Sequence, residues 1–148
     1  LERSGSLRAM TRHVEPTPEH LAAFLAEDPG SPIVMLNLLR YRDEADYSEA
    51  PDLAPEAPIS GREAYQRYSE GVLPILAGIG GGIELFGPCH GTLIGPTDEA
   101  WDEIVLVRYP DTAAFVGMVS SAEYQAITGH RTAALADSRL VRTTAARL

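Results

Sequence analysis

Two adjacent side chains near the end of the sequence are the strongest candidates for chemistry. His130 titrates close to neutral pH and can move a proton, while the planar guanidinium of Arg131 can hold a carboxylate or an enolate. Neighbouring helix positions differ by about 100°, so both side chains can reach one ligand only at the rim of a cavity. The alternative is structural: His130 follows a helix break at Gly129 and caps carbonyl groups, while Arg131 pairs with Asp137 or another acid.

An asparagine lies on an apolar strand face, where its amide needs hydrogen-bond partners. Asn37 stands between Met35 and Leu39 in the run IVMLNLLRY, and a buried amide without partners costs about 1–3 kcal/mol. We expect Asn37 to be catalytic, donating to a substrate oxygen, with Met35 beside it among the substrate-binding residues. An amide that ties down a neighbouring loop is the equally open alternative.

Further side chains could contact a substrate. Tyr65 and Tyr68 lie on the inner stripe of a predicted helix, where they either orient a substrate oxygen or complete the core. Trp101 opens a predicted strand, and we interpret the acidic residues around it, Asp98, Glu99, Asp102 and Glu103, as a solvated turn and strand edge. Arg139 on the last strand holds either a substrate anion or an acidic partner such as Asp102.

Residue types that are missing exclude several reaction classes. All 12 basic residues are arginine, so no lysine can form a Schiff base, bind a nucleotide phosphate in a P-loop or activate a serine. Cys89 is the single cysteine, which excludes an internal disulfide, and Cys89 with His90 has no companion at metal-ligand spacing. The glycine run 78–82 follows a helix and precedes a strand, the reverse of a dinucleotide-binding loop. We therefore predict neither a metal nor an organic cofactor.

Composition and charge limit the partners. The 148 residues are about one domain long, and the net charge of −9 disfavours nucleic acid and anionic membranes as partners. No apolar run is long enough to span a bilayer, and the single cysteine fits a reducing cytoplasm. We expect one cytoplasmic domain over residues 13–148, preceded by a flexible arm of residues 1–12.

Capping and turn residues predict alternating helices and strands. Thr17 begins a helix that ends near Glu27, and the capping box at Ser60 begins another that ends near Gly78. A short helix runs through Met118, and the next begins after Ser120 and breaks near 129. The acidic, proline-rich segment 42–59, which we call the flap, is either functional or an arm that docks elsewhere. The predicted strands are 33–41, 83–86 with a bulge or a hairpin to 90–94, 101–109 and 138–143.

The order of these elements predicts an α+β fold. It matches the ferredoxin-like split βαβ arrangement, in which both helices pack on one face of an antiparallel sheet. Strands 33–41 and 101–109 are apolar on both faces, although the helices can cover only one. The other apolar face needs a partner, so we predict a homodimer formed through the sheet faces.

Several blocks of the sequence resemble one protein family. These blocks are MLNLLRYR, SGREAYQRY, EAWDEIVLVRYP, SAEYQAITGHRTAAL and DSRL, in that order between about residues 16 and 143. They resemble the domain of unknown function 1330 family, of the dimeric α/β-barrel superfamily with a ferredoxin-like fold. The resemblance implies this fold and a dimer. The wider superfamily includes cofactor-independent oxygenases, haem-degrading proteins, dismutases, isomerases and stress-response proteins, and fold alone does not choose among them.

The leading functional hypothesis is a small homodimeric enzyme that uses no cofactor. It would carry out cofactor-independent oxygenation or proton-transfer isomerisation of a small, oxygen-bearing molecule. His130 would be the general acid or base, Arg131 or Arg139 would hold an anionic group, and Asn37 with Tyr68 would orient an oxygen.

Two alternatives belong to other classes. The first is a non-catalytic ligand-binding or stress-associated dimer with the same pocket. The second, a minor one, is haem binding, because the haem-degrading branch of the superfamily uses an Asn, a Trp and a His. This chain has a candidate for each, in Asn37, Trp101 and His130, but their spacing does not align with that branch.

Overall fold

The computed structural model describes residues 12–147, which form a four-stranded antiparallel sheet with helices. Its order across the sheet is β2-β3-β1-β4, so β1 is central and pairs with both β3 and β4. This confirms the predicted ferredoxin-like α+β fold. The predicted arm lies outside the described residues except for Arg12. The elements are α1 (Pro18–Ala26), β1 (Ile33–Tyr41), a 3₁₀ turn (Pro51–Leu53), α2 (Gly61–Gly78), β2 (Gly82–Pro88), β3 (Glu103–Tyr109), α3 (Thr112–Ser120), α4 (Ala122–Ala134) and β4 (Leu135–Thr143).

Side-chain caps begin the helices where the sequence predicts. The Thr17 hydroxyl accepts the backbone N–H of His20 at the start of α1. At the start of α2, Ser60 and Glu63 form the predicted capping box, each side chain accepting the backbone N–H of the other. The hydrogen bond from the Ser60 backbone N–H, and then one from the Ser60 side chain, lower the pKa of the Glu63 carboxyl. Each cap satisfies backbone donors that the first helical turn leaves free.

The two faces of the sheet differ in what covers them. On β1, Ile33, Met35 and Leu39 are buried and belong to the core cluster, which includes residues of α2, α3 and α4. We call this side the helix face. Leu36 and Leu38 project to the opposite side, are half-buried, and lie outside that cluster. We call that side the outer face. Within residues 12–147, the helices that contribute to the core lie on the opposite side of the sheet.

Helix α4 corrects one expectation from the sequence. It runs without interruption from Ala122 to Ala134, so the predicted break near Gly129 is wrong. A Cβ at Gly129 would lie 2.7 Å from the Ala50 side chain and 2.8 Å from that of Leu53. Glycine is needed here because the flap packs directly on the helix, which a local helix propensity does not reveal. The alternative of a second strand at 90–94 is also wrong: β2 is one strand with a register shift between Ile83 and Leu85.

The flap docks on its own chain. The Ala45 N–H donates to Ile59 O and the Asp46 N–H donates to Ala133 O, both at 2.9 Å. Tyr47, which belongs to the flap, is buried with 8% of its surface exposed. The flap therefore packs against α4 of its own chain, and a functional role for it stays a prediction.

Candidate functional site

A group of buried tyrosines lies between the sheet and the helices. Tyr65 and Tyr68 come from α2, Tyr109 from β3 and Tyr124 from α4, and none is more than 9% exposed. The ring centroids of Tyr65 and Tyr68 are 5.3 Å apart, and those of Tyr68 and Tyr124 are 6.1 Å apart. We call these four residues the tyrosine cluster.

The hydroxyl groups of the tyrosine cluster are short of acceptors. Those of Tyr68 and Tyr124 lie 3.0 Å apart, so one donates to the other and the second proton needs an acceptor elsewhere. The hydroxyls of Tyr65 and Tyr109 make no hydrogen bond with any residue of the described range 12–147, and neither oxygen is fully shielded from water. A buried tyrosine hydroxyl ordinarily has a partner. The cluster therefore offers hydrogen-bond donors that this part of the protein does not use.

Electrostatics keep these hydroxyls protonated while placing a cation beside them. Burial raises the pKa of Tyr65 to about 12, and burial together with the charge of Tyr124 raises the pKa of Tyr68 well above its ordinary value. The positive charge of Arg131 opposes both shifts, as it does for Tyr109. Arg131 lies seven positions after Tyr124 and so on the same side of α4. The hydroxyls act as neutral donors next to a permanent cation.

Asn37 is held by the sheet itself. Its Nδ2 donates to Val105 O at 3.3 Å and to Met35 O at 3.4 Å, on the helix face. Its Oδ1 accepts no hydrogen bond from residues 12–147. Leu140 of β4 stands directly opposite in the register and is 46% exposed, although it projects to the helix face. The centre of the helix face is thus incompletely covered on the β4 side.

His130 lies away from the tyrosine cluster. Its Nδ1 is 2.8 Å from the hydroxyl of Tyr47, which fastens the flap to α4. Six helix positions separate His130 from Tyr124, which turns the two side chains about 120° apart. Burial, with a smaller contribution from the positive charge of Arg67, lowers the pKa of His130. The structure does not bring His130 and Arg131 to one point.

Trp101 and Arg139 belong to the other side of the sheet. The guanidinium groups of Arg139 and Arg40 lie 5.0 and 5.7 Å from the centre of the Trp101 ring. Asp137 bridges the two arginines at 3.0 and 3.2 Å, and Arg139 also contacts Glu99 at 3.6 Å. These side chains form an ionic cluster on the outer face, apart from the tyrosines. Asn37, Trp101 and His130 accordingly lie in three separate places, unlike a converging haem site.

Glu103 is a buried acidic residue whose burial was not predicted from the sequence. It is 9% exposed and accepts hydrogen bonds from the Tyr41 hydroxyl and, at 3.0 Å, from Arg62. Burial, and then this hydrogen bond, raises the pKa of Tyr41. The interpretation as a solvated edge is wrong for Glu103, because it alternates in step with Val105 on the helix face. That period-two pattern is the signal that could have identified it.

Two open cavities of the surface lie elsewhere. One of about 340 Å³ separates the flap from α4 and is lined by the carboxylates of Glu15, Asp46, Glu49 and Asp52. Another, of about 450 Å³, lies between the end of α2 and α3. Within residues 12–147, no three His, Cys, Asp or Glu side chains could together hold a metal ion. No helix of that range has the length and hydrophobicity to cross a bilayer.

Comparison with solved structures finds two strong matches of unknown function. Methylated RPA0582 is 39% identical to this chain with a TM-score of 0.84, covering 93% of this chain and 98% of its own. The RPA0582 protein of Rhodopseudomonas palustris is 38% identical with a TM-score of 0.83, covering 93% of this chain and all of its own (100%). A dimeric ferredoxin-like protein of unknown function from Thermobifida fusca YX is 15% identical with a TM-score of 0.47, covering 80% of this chain and 95% of its own.

The comparison of sequences gives the family. No curated protein matches this chain significantly. The family model for DUF1330, a domain of unknown function, matches residues 56–144, more than half of the chain. This confirms the resemblance seen in the sequence blocks. The chain belongs to the DUF1330 family.

Proposed function

We propose that the protein binds a small molecule with a carbonyl or anionic oxygen between its sheet and its helices. The observation that carries this proposal is the set of tyrosine hydroxyls without acceptors in residues 12–147, close enough to Arg131 for its charge to act on them. Water reaches the hydroxyls of Tyr65 and Tyr109. A ligand that supplies acceptor oxygens at this point can replace that water.

The surroundings define the ligand further. Met35, Val105 and Val107 form an apolar floor on the helix face. Around them the tyrosine hydroxyls and Arg131 supply donors and positive charge. A partly apolar molecule with one polar end, such as an aromatic carboxylate or a phenol, matches both features.

Each contact has a distinct role in this proposal. Arg131 holds the anionic group, and the Tyr68–Tyr124 pair orients an oxygen through its second proton. Asn37 offers Oδ1 as an acceptor while its Nδ2 remains bound to the sheet. His130 stays outside the binding site because its ring is bonded to the flap.

Catalysis is the second function that this arrangement favours. Neutral donors and a fixed cation in a buried site stabilise an enolate or a phenolate as it forms. Cofactor-independent oxygenation and proton-transfer isomerisation both pass through such an anion. A non-catalytic binding protein would use the same contacts without turnover. Oxygen uptake with phenolic substrates and keto–enol exchange of phenylpyruvate distinguish the two.

We also propose that a second copy of the chain covers the outer face. Leu36, Leu38 and Leu106 project there with no core helix against them, and Val141 is 51% exposed. An apolar sheet face of this kind is stabilised when it is removed from water. The same surface on two copies makes a self-complementary interface.

The charge preference of the site tests the proposed function. We expect the protein to bind benzoate about tenfold more tightly than benzamide, which has the same ring without the charge. Arg131→Met should abolish this preference, because it removes the cation beside the tyrosines. Arg67→Met is the matched control and should keep it, since Arg67 is exposed on α2 near His130. Calorimetry measures the affinity of all three proteins for each ligand. Equal affinities of the unmodified protein for benzoate and benzamide would contradict the proposal.

A further inference from the structure

The segment before and within α1 runs beside the edge strand β4 as an arch, which we define as residues 13–24. At one end, the His13 N–H donates to Asp137 at 2.9 Å and Ser138 donates to His13 O at 2.6 Å. At the other end, Arg142 donates to Phe24 O at 2.9 Å and lies 3.9 Å from the centre of the Phe24 ring. Both ends are therefore fixed to β4.

The incompletely covered part of the helix face lies between these two attachments. Ser138, Leu140 and Arg142 pair with Leu39, Asn37 and Met35 of β1, so all three project to the helix face. The five residues from Ser138 to Arg142 span about 13 Å of strand. The arch has ample length to cover that distance. Leu140, which pairs with Asn37 and is 46% exposed, lies between the two attachments on β4.

The arch is attached more weakly than the other helices. No residue of α1 is buried, and Leu21 and Leu25 are 46% and 51% exposed. The apolar attachment of α1 is the Phe24 ring, which packs on Phe115 with centroids 5.6 Å apart. Segments with few buried apolar contacts open locally at low cost in free energy. The arch can thus lift while the sheet and α2 stay folded.

Arg131 connects the arch to the tyrosine cluster. Its Nη1 donates to Val14 O at 3.0 Å, just after the first attachment. Its charge also acts on Tyr65, Tyr68 and Tyr109. An anionic ligand beside these tyrosines would compete with the Val14 carbonyl for the same guanidinium group.

We propose that the arch is the gate of the binding site, and that Arg131 couples its opening to the ligand. This inference rests on the proposed function for the identity of the site. When the arch lifts, a ligand enters past Leu140 toward Asn37 and the tyrosines. Arg131 exchanges its contact with Val14 for the anionic group of the ligand, and the arch then closes against the bound molecule.

Hydroxyl-radical footprinting with mass spectrometry tests the gate without any ligand. Phe24→Ala removes one of the two apolar attachments of the arch, Val14 being the other, and should raise the oxidation rates of Tyr68 and Tyr124 about threefold or more. Tyr47, held by the flap, should be unchanged. Leu25→Ala removes a similar apolar side chain from the same helix and is the matched control, because Leu25 is exposed. It should leave every tyrosine at the rate of the unmodified protein.

A second variant covers the case in which Phe24→Ala disturbs folding. Arg142→Gln removes the bonds to Phe24 O and Glu27 O and should produce the same selective oxidation. Unchanged rates at Tyr68 and Tyr124 in both variants, or an equal rise at Tyr47, would overturn the gate. Because no ligand is used, this failure is separate from failure of the benzoate test, which concerns the site.

Discussion

At the scale of single residues, the proposed site depends on tyrosine, because the tyrosine hydroxyl stays protonated where a stronger acid would ionise. Burial raises the pKa of Tyr65 to about 12 even though Arg131 acts in the opposite direction. A neutral hydroxyl can donate to an oxygen, whereas a buried carboxylate without a cation would repel an anion. In the proposed function, the cluster and Arg131 act together to bind acceptor oxygens.

His130 should give the protein a distinct pH dependence. Its pKa lies below the ordinary value of 6.5 in the folded chain, because its ring is partly buried and Arg67 is near. Below about pH 6.5 the unfolded chain therefore binds the proton more readily, and stability falls as the pH falls. The Nδ1 of His130 shares a hydrogen bond with the Tyr47 hydroxyl, so in the protonated ring this nitrogen has to be the donor. Urea unfolding at about pH 7.5 and 5.5 measures the loss, which should be smaller in His130→Gln.

The control for this experiment is His20→Gln. His20 is exposed on α1, so its replacement should leave the pH dependence unchanged. A His130→Gln protein that loses as much stability on acidification as the unmodified protein would refute this role for His130.

The sequence predicted part of the site at this scale. Tyr65 and Tyr68 follow from helical spacing, since both lie on one apolar stripe. Tyr109 and Tyr124 were not chosen as site residues, because their convergence depends on how α4 and β3 pack. Arg139 and Trp101 show the remaining difficulty: alternation along a strand separates two faces but does not tell which face meets the helices.

At the scale of elements, the sequence predicted more. Helix starts at Thr17 and Ser60 depend on bonds within a few residues, so local sequence contains the whole signal. β1 occupies the residues predicted for it, because its apolar run is bounded by turn residues. The continuity of α4 through Gly129 could not be predicted, because it depends on contact with the flap.

Two glycines of α2 should respond oppositely to alanine. At Gly61 a Cβ would lie 2.3 Å from Arg42 O and 2.6 Å from Ala134 O, both backbone atoms that cannot easily move. We expect Gly61→Ala to lower the free energy of unfolding by about 1–3 kcal/mol through overpacking. Gly78 has nothing within 4 Å of the Cβ position, so Gly78→Ala should raise it by up to about 1 kcal/mol. Urea denaturation measures the free energy of unfolding of both variants. Equal effects would show that the backbone around Gly61 can move to accommodate a methyl group.

At the scale of the whole molecule, the two faces of the sheet have different tasks. The helix face holds the core and the tyrosine cluster, while the outer face is apolar without a covering helix. A dimer formed through the outer face would leave the arch and the site on the far side of each sheet, away from the interface. Binding and assembly can therefore be changed separately.

Two aspartate substitutions on neighbouring strands test this division. Leu36→Asp on the outer face should convert a dimer into a folded monomer, because the charge would be buried at the interface. Val105→Asp should unfold the protein, since Val105 is 5% exposed on the helix face. Leu73→Asp is the surface control, because Leu73 is 46% exposed on α2. Sedimentation equilibrium with circular dichroism separates the outcomes, and a Leu36→Asp protein that sediments like the unmodified one would exclude this interface.

The binding of 4-nitrophenol is the sharpest test of a binding site at the tyrosine cluster, because the absorbance of this probe reports both binding and ionisation. A site with neutral donors and Arg131 should bind the phenolate in preference to the phenol, so the bound probe should absorb as phenolate at a pH where the free probe is mixed. Tyr68→Phe should weaken binding about tenfold through loss of the donor pair. Tyr47→Phe, which removes a hydroxyl bonded to His130, should bind normally. An unmodified protein that leaves the spectrum unchanged, or equal losses in both variants, would contradict a binding site at the tyrosine cluster.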